Sequence, residues 1–171
     1  MPPTDLPSGF HIRLVRREEA ALLHETMLRC WRGTVAENSS AYRETPQSID
    51  AQLERGAAMF LFEGDAVIGC GRLHPVPGPT GDPLEWVELK RIGVLATHRK
   101  LGLGAPLVAA LEAEARTRGA AGAQLGVRAD QPRLIRFWSS LGYVLADDVH
   151  LHTVNPLTPP PTTMRKRFWR D

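Results

Sequence analysis

One corner of the chain, where an extended segment turns through glycines into a helix, constrains the fold most. Residues 84–94 have an extended pattern, and the turn Arg99–Gly104 that follows contains Gly102 and Gly104. Apolar residues then recur at every fourth position and predict a helix over 103–118: Leu103, Leu107, Leu111 and Ala115. Because the first N–H groups of a helix have no partner within it, this corner predicts a site for a phosphate or pyrophosphate.

Two widespread phosphate-binding patterns do not fit this turn. A Walker A loop would end in Gly-Lys followed by Ser or Thr, which is absent here. The dinucleotide fingerprint GxGxxG would need a third glycine where Leu107 stands. Arg99 and Lys100 at the start of the turn would add positive charge beside a bound anion. The turn therefore predicts an anion site of another kind.

The rest of the sequence predicts one α+β domain over residues 10–171, behind a flexible tail over residues 1–9. Thr45 and Pro46 have the pattern of a helix cap followed by proline at the first helical position. The predicted strands are Phe10–Arg16, Met59–Phe62, Ala66–Leu73, Leu84–Val94, Ala123–Val127, Tyr143–Leu145, His150–Val154 and Thr162–Trp169, and 75–83 is a predicted loop. The predicted helices are Glu18–Trp31, one from Pro46 to Gly56, Leu103–Arg118 and Pro132–Leu141.

Composition and charge exclude several classes of protein. Lys and Arg number 21 against 19 Asp and Glu, and this balance of +2 argues against wholesale nucleic-acid binding. Cys30 and Cys70 are too few for a disulfide framework, so we expect free buried thiols in a reducing compartment. The sequence shows no signal peptide and no run of 18 apolar residues. We therefore expect a cytoplasmic protein that is not embedded in a membrane.

Two segments resemble conserved blocks of the GNAT N-acetyltransferase superfamily. Arg99-x-x-Gly102-x-Gly104, after a strand that ends in Ile92-Gly93-Val94, resembles the loop that binds the pyrophosphate of acyl-CoA in that family. The segment from Gln131 to Tyr143 (QPRLIRFWSSLGY) resembles the later block N-x-x-A-x-x-F-Y-x-x-x-G-F. Both segments lie on the expected elements and in the expected order. The resemblance covers nearly all of residues 10–169.

The resemblance implies both a fold and an activity. The implied fold is a mixed, mostly antiparallel sheet of six to seven strands with about four helices, in which strands four and five splay apart. The implied activity is direct transfer of an acetyl group from acetyl-CoA to a primary amine in a ternary complex, without a metal. A backbone N–H in the splay could polarise the thioester carbonyl. The implied acetyl-CoA contacts are Ile92, Val94, Arg99, Lys100, Leu101, Gly102, Leu103, Gly104, Ala105, Gln131 and Trp138.

Glu88 is the predicted catalytic base. An alkyl amine has a pKa of about 10 and arrives protonated, so a base must remove its proton. Strict alternation along the strand places Glu88 on the same face as Ile92 and Val94, and some family members carry a glutamate base at this position. The alternative is a surface carboxylate paired with Lys90 or Arg91; other candidate bases are Glu85 and His74.

The sequence departs from the family pattern where the family has a tyrosine acid. Trp138 stands in that slot, and an indole does not usefully protonate a thiolate. Gln131 replaces the family's Asn, and Leu134 replaces its Ala. Tyr143 is predicted to be a core residue. The acid therefore stays open: the thiolate leaves unaided, or Tyr42 or another group supplies the proton.

The remaining features leave several alternatives open. His150 and His152 could share a strand face, but no Cys or Asp partner has metal-site spacing. The basic run 165–170 could bind nucleic acid, but its alternation favours a final edge strand, which would suit a homodimer. Cys70 lacks a placed base for a nucleophile. Tyr42 and Glu37 are candidate acceptor-site residues for a small-molecule or peptide amine, and the rival function is a non-catalytic acyl-CoA-binding or sensing domain.

Overall fold

The computed structural model describes residues 4–169 of the chain. Seven strands lie within this range: β1 (Phe10–Leu14), β2 (Ala57–Glu63), β3 (Ala66–Pro77), β4 (Glu85–Val94), β5 (Gly122–Val127), β6 (Val144–Leu145) and β7 (Thr162–Arg167). The α-helices in the same range are α1 (Ala20–Trp31), α2 (Pro46–Leu53), α3 (Gly104–Thr117) and α4 (Arg133–Ser140). Short 3₁₀ turns precede α1, α2 and α3.

Local sequence signals account for several of these boundaries. The Thr45 hydroxyl accepts a hydrogen bond from the Ser48 N–H at 3.1 Å, and the Ser48 hydroxyl accepts one from the Thr45 N–H at 2.9 Å. This reciprocal pair satisfies two N–H groups at the start of α2 and confirms the predicted cap. Gly64 has a φ of 55° in the turn between β2 and β3, which confirms the predicted hairpin.

The sheet has the order β1-β2-β3-β4-β5-β7-β6. Every pairing is antiparallel except the parallel pairing of β4 with β5. That parallel pairing consists of Val87 with Ala123 and Glu88 with Gln124, after which the strands separate. The predicted fold class, including the splay between strands four and five, is confirmed.

Helices cover both faces of the sheet. On one face, α1 and α2 pack Leu23, Met27 and Ile49 around Phe60 of β2. On the other face, α3 and α4 enclose a larger core of aliphatic and aromatic residues that includes Leu61, Leu107, Leu111, Leu125 and Trp138. The opening between β4 and β5 therefore lies between two packed layers that fix its walls.

The structure corrects three predictions about the strands. β3 continues to Pro77, through residues that were predicted to be a loop. The segment His150–Val154 forms no strand and belongs to the connection between β6 and β7. β7 is not an edge strand, because β6 pairs with its residues Met164 and Arg165.

Residues 1–3 of the predicted tail lie outside the described range, and so do Arg170 and Asp171 at the other end. Residues 4–9 contain no strand or helix, but Leu6 packs against the larger core. No helix within residues 4–169 is long and apolar enough to cross a membrane.

Candidate active site

The separation of β4 from β5 opens a cavity of about 950 Å³. Residues 88–94 of β4 and 125–127 of β5 line its two sides. Residues of the loop after α1 and of the loop between β6 and β7 line it as well. Asn38 and Asn155 link these two loops, because the Asn155 amide donates to the Asn38 carbonyl at 2.9 Å. The volume is in the range of small-molecule and cofactor sites.

A β-bulge in β4 changes which side chains face each other across the sheet. Lys90 pairs with Arg72 and Gly93 with Cys70, so Arg91 and Ile92 together oppose one residue of β3. Arg91 has a φ of 55°, a conformation that few non-glycine residues adopt. The prediction that Glu88, Ile92 and Val94 share a face is wrong, since the bulge turns Ile92 and Val94 onto the α3 side.

The main chain of Val94 points into the opening. The Leu95 N–H donates to the Ile68 carbonyl of β3 at 2.8 Å. Because antiparallel ladders bond at alternate residues, the N–H and C=O of Val94 point away from β3 and towards the splay. The Val94 carbonyl accepts a bond from the Arg99 Nε at 3.3 Å. The Val94 N–H is then a main-chain donor available to a ligand.

The glycine corner presents unpaired donors at the start of α3. Within the described residues, the main-chain N–H groups of 101–105 donate no hydrogen bond. Gly102 has a φ of 73° and Lys100 a φ of 68°, which turns the chain sharply ahead of the helix. A Cβ on Gly104 would lie 3.3 Å from the Phe137 ring, so the close approach of α4 to this corner favours glycine.

Side chains around the corner divide between the cavity and the core. Arg99 and Lys100 line the cavity. The side chains of Leu103 and Ala105 are buried in the core, whereas Leu101 is half exposed. Residues 101–105 do not themselves line the cavity, and Leu101, Leu103 and Ala105 can offer a ligand that extends to the corner mainly their backbone.

Arg99 ties this corner to the end of α1. Its Nη2 donates to the Cys30 carbonyl at 2.8 Å. Cys30 and Cys70 are both free and buried, as predicted. A hydrogen bond from the Cys70 thiol, together with the charges of Arg99 and Arg29, lowers the pKa of Cys30. The same bond and full burial raise the pKa of Cys70 well above its usual range, so Cys70 is a poor nucleophile.

Glu88 is buried at the point where β4 leaves β5, and it lines the cavity. Its Oε1 accepts two hydrogen bonds, from the Gln124 Nε2 and from the His152 N–H, both at 2.9 Å. Its Oε2 accepts no hydrogen bond from the described residues. This oxygen is also not fully buried, so a ligand or water can reach it. Within the same range Glu88 forms no ion pair, so it is not a surface carboxylate paired with Lys90 or Arg91.

The other two candidate bases lie outside the cavity lining. His74 pairs with Glu88 across β3 and β4, and its ring centroid lies 4.0 Å from that of His152, with the two rings tilted by 40°. Burial, with the charge of His152, lowers the pKa of His74 to about 4. The Nδ1 of His74 is buried without a hydrogen-bond partner in the described part of the chain. Glu85 is exposed at the start of β4.

Arg72, Arg91 and Lys90 form a cluster of cations near Glu88. The carboxylate in this cluster is Glu44, which the sequence analysis did not predict. Glu44 binds two arginines, the buried Arg72 and, at 3.2 Å, Arg91. Glu44 directly precedes the predicted cap Thr45, and its sequence position gives no sign of this contact. Lys90 faces the same cluster, and burial, with the charge of Arg72, lowers its pKa to about 8.

The segment from Gln131 to Tyr143 contributes residues both to the cavity lining and to the core. Gln131 lines the cavity and donates to the Thr34 carbonyl at 3.1 Å. Trp138 also lines the cavity, and it packs edge-to-face on Tyr143. Tyr143 is a core residue, as predicted, and its hydroxyl donates to the buried Glu112 at 3.0 Å.

Tyr42 and Glu37 do not line the cavity. Tyr42 donates to the Trp31 carbonyl at 3.4 Å, and Glu37 is exposed. The neighbouring residues Asn38, Ser39 and Ser40 line the cavity instead. The predicted loop therefore reaches the cavity through other residues than those two.

Carboxylates neutralise the basic run near the C-terminus. Arg165 pairs with Asp148, Lys166 with Glu112, and Arg167 with Asp82. These ion pairs hold β7 in the sheet and leave little free positive charge on its described residues. Among residues 4–169, no three His, Cys, Asp or Glu side chains cluster as metal ligands would.

Residues 21–143 match the model of the acetyltransferase (GNAT) family, well over half of the chain. The chain belongs to the GNAT acetyltransferase family. The match spans the splay, the glycine corner and all of α3 and α4, and it leaves out the part of the cavity lining that follows β6. No curated protein sequence gives a significant match.

Solved structures of GNAT and other acetyltransferases share this fold. An acetyltransferase from Streptococcus agalactiae superimposes with a TM-score of 0.72 at 16% identity, covering 95% of this chain and 100% of that one. PaiA N-acetyltransferase from Thermoplasma acidophilum, solved with coenzyme A, gives 0.71 at 16% identity and covers 93% and 99%. The putative acetyltransferase yncA from Salmonella typhimurium, solved with acetyl-CoA, gives 0.67 at 19% identity and covers 94% of each chain.

Proposed function

We propose that this GNAT protein transfers an acetyl group from acetyl-CoA directly to a primary amine, with Glu88 as the base. The observation that carries the proposal is the Glu88 carboxylate, buried in the cavity with Oε2 unpaired. Two neutral N–H groups fix its other oxygen. The group is thus oriented by the fold and still free to accept a proton.

The residues present fit an acyl-CoA donor. The unpaired N–H groups of residues 101–105, with Arg99 and Lys100 beside them, suit a pyrophosphate. The Val94 N–H lies in the splay, where an extended arm of the donor would pair with β4. Gln131 and Trp138 would form the facing wall. Support from solved structures comes from PaiA and yncA, which were solved with coenzyme A and acetyl-CoA.

The proposed reaction is a single displacement. Glu88 takes a proton from the ammonium, directly or through one water, and the freed amine lone pair attacks the thioester carbonyl. A C–N bond forms, the C–S bond breaks, coenzyme A leaves as a thiolate, and the second amine proton passes from the nitrogen to that thiolate or to solvent. Thiols have a pKa of about 8.5, so the thiolate can leave without a protein acid. Trp138 in the tyrosine slot and the core position of Tyr143 agree with departure of this kind.

Glu88→Gln tests the base. The amide keeps an oxygen for Gln124 and the His152 N–H but cannot accept a proton at neutral pH. We expect kcat to fall about 10²- to 10⁴-fold in a thiol-release assay with acetyl-CoA and a panel of amines. The dissociation constant of coenzyme A, from calorimetry, should not change. Glu85→Gln is the matched control, because Glu85 is an exposed carboxylate on the same strand.

Two outcomes would contradict the proposal at different levels. An unchanged kcat in Glu88→Gln would remove Glu88 as the base but leave the transfer reaction standing. Failure of the protein to bind coenzyme A, or binding that survives both Arg99→Glu and Gly104→Val, would remove the donor site. Tight binding of coenzyme A without turnover of any amine would favour the rival function, a non-catalytic acyl-CoA sensor.

A further inference from the structure

Lys90 is a cation in the cavity wall without a carboxylate partner. Within residues 4–169 its Nζ makes one hydrogen bond, a long one of 3.5 Å to the Thr153 hydroxyl, and no ion pair. Its side chain is partly buried and lines the cavity. A partly buried ammonium that lacks a counter-ion is unusual, because burial of an unpaired charge costs free energy.

The neighbouring charges leave that of Lys90 uncompensated. Arg72 and Arg91 share a single carboxylate, Glu44. Within the described residues their other side-chain bonds go to neutral groups: Arg72 to the Gln52 oxygen at 3.2 Å and the Met27 sulfur at 3.9 Å, and Arg91 to the Ser40 hydroxyl at 2.9 Å. Three cations therefore stand against two carboxylates in this region, and neither Glu44 nor Glu88 forms an ion pair with Lys90 among the described residues. The group has room for one further negative charge, at Lys90.

Lys90 lies beyond the predicted donor site. The bulge at Arg91 separates it from Val94, and the glycine corner that suits a pyrophosphate begins at Arg99. The loop that supplies Thr153 also contacts Glu88, through the His152 N–H. The missing anion is thus better supplied by the amine acceptor than by the phosphates of the donor.

Glu88 and Lys90 have a spacing that suits a small zwitterion. They are two residues apart on one strand face, ahead of the bulge, so their Cα atoms are about 7 Å apart. Glu88 would take the ammonium end of an acceptor and Lys90 an anionic end. A molecule that spans both must carry its amine and its anion within a few bonds of each other.

We propose that the acceptor is an amino acid with a free carboxylate close to its amine, and that Lys90 binds that carboxylate. This inference rests on the proposed function. Peptide N-termini, protein lysines, polyamines and aminoglycoside-like amines lack a free α-carboxylate beside the reacting amine. Lys90 then determines which amines are acetylated and takes no part in proton transfer.

Matched acceptors test this inference. A panel of L-amino acids, each paired with its carboxamide, is assayed for thiol release from acetyl-CoA, along with simple alkyl amines. The amide keeps the amine and side chain and removes only the negative charge. We expect at least one acid to exceed its amide by about 10- to 100-fold in kcat/KM, the range of a charged hydrogen bond. Lys90→Gln should reduce that ratio to within a few-fold, chiefly through KM, and Lys90→Arg should restore part of it.

Arg55→Gln serves as the control, because it removes one positive charge from an exposed residue outside the cavity. It should leave the acid-to-amide ratio as in the unchanged protein. Binding to the coenzyme A complex provides a readout independent of turnover: N-acetylated amino acids should bind more tightly than their amides, and this preference should be lost in Lys90→Gln.

Two results overturn this inference and leave the proposed function standing. One is equal or better turnover of amides or alkyl amines; the other is an acid-to-amide ratio that Lys90→Gln does not change. If no carboxylate probe is acetylated or bound although coenzyme A binds, the inference also falls. If coenzyme A itself does not bind, the proposed function falls first.

Discussion

Glu88 and Glu112 are both almost fully buried, yet their surroundings differ. Glu112 of α3 accepts the Tyr143 hydroxyl at 3.0 Å and the Lys166 ammonium at 2.9 Å, and Arg116 lies 3.6 Å away. Both of its oxygens are occupied and its charge is neutralised. Glu88 accepts two bonds from neutral donors on one oxygen and none from the described residues on the other.

The difference shows that partners decide the role of a buried carboxylate more than burial does. Glu112 has cations and a phenol around it and is suited to joining α3 to β7. Glu88 has no cation in contact and faces the cavity, and so can accept a proton. The relative exposure of the two residues, 4% for Glu88 and 5% for Glu112, does not distinguish them.

The largest expected effect on stability is that of replacing Glu112, and it distinguishes Glu112 from Glu88. Glu112→Gln should lower the free energy of unfolding by about 2–3 kcal/mol, because the amide cannot neutralise Lys166 and Arg116. Turnover of the folded variant should stay within about two-fold of the unchanged protein. Urea denaturation and the thiol-release assay measure the two quantities.

Glu88→Gln is the counterpart of that exchange and should change stability by less than about 1 kcal/mol, since the amide keeps the accepting oxygen. The comparison fails if Glu112→Gln reduces turnover as strongly as Glu88→Gln does in protein that is fully folded. It fails equally if Glu88→Gln proves the less stable variant.

The next effect concerns His74, which is buried next to Glu88 and has an unpaired Nδ1. Burial lowers its pKa to about 4 from an ordinary 6.5, so between these values the unfolded chain binds more protons than the folded one. The free energy of unfolding should therefore rise as pH rises from 4 to 6.5. On acidification over the same range, this contribution of His74 to stability should disappear. His74→Gln should remove about 2 kcal/mol of this rise.

The measurement is urea denaturation of both proteins at several pH values, compared as a difference so that the carboxylates common to both cancel. A constant difference between pH 4 and pH 7 would mean that His74 is as readily protonated in the folded protein as in the unfolded chain.

The smallest effect concerns Tyr143. Tyr143→Phe removes the hydroxyl that donates to Glu112 and should cost about 1 kcal/mol in urea denaturation. Because Tyr143 lies in the core and not in the cavity lining, kcat should not change. A fall in kcat of ten-fold or more would assign it an acid role and place the reacting thiolate near α3.

Local patterns in the sequence predicted most of the fold. The cap at Thr45, the hairpin at Gly64, the glycine corner and the period of α3 each depend on neighbours in the chain, and each appears in the structure. Glu88 was selected by strict alternation along β4, which the bulge at Arg91 breaks, and by the resemblance to the family; its role as base stays a prediction. Pairing between distant segments has no such local signal. The splay was predicted only through the resemblance to the family, and the predictions for the end of β3, for residues 150–154 and for the edge of the sheet were wrong.

The end of β3 shows why distant pairing matters. Pro75 and Pro77 argue against a central strand, yet both lie in β3. β2 stops pairing at Leu73, so beyond that point β3 has β4 on one side only. The two prolines are two residues apart and turn their nitrogens towards the open side, where no N–H is needed.

Two further contacts join segments far apart in the sequence: the ion pairs of Glu44 with Arg72 and Arg91, and the hydrogen bonds between the two loops that line the cavity. Asn155 reaches Asn38 and Arg43 across more than a hundred residues, and no spacing in the sequence reports such contacts. Lys90 lacks a partner because Glu44, the nearby carboxylate, binds both arginines, and this contact too joins segments far apart in the sequence.

The irregularity at Arg91 has an evolutionary consequence. A chain that lost Arg91 would pair without a bulge: Ile92 would stand opposite Gly71, Gly93 would stay opposite Cys70, and Leu89, Ile92 and Val94 would all remain on the α3 side. Related chains should therefore differ by one residue at this position without exchanging the faces of β4, and such a loss would remove one of the two arginines that Glu44 binds.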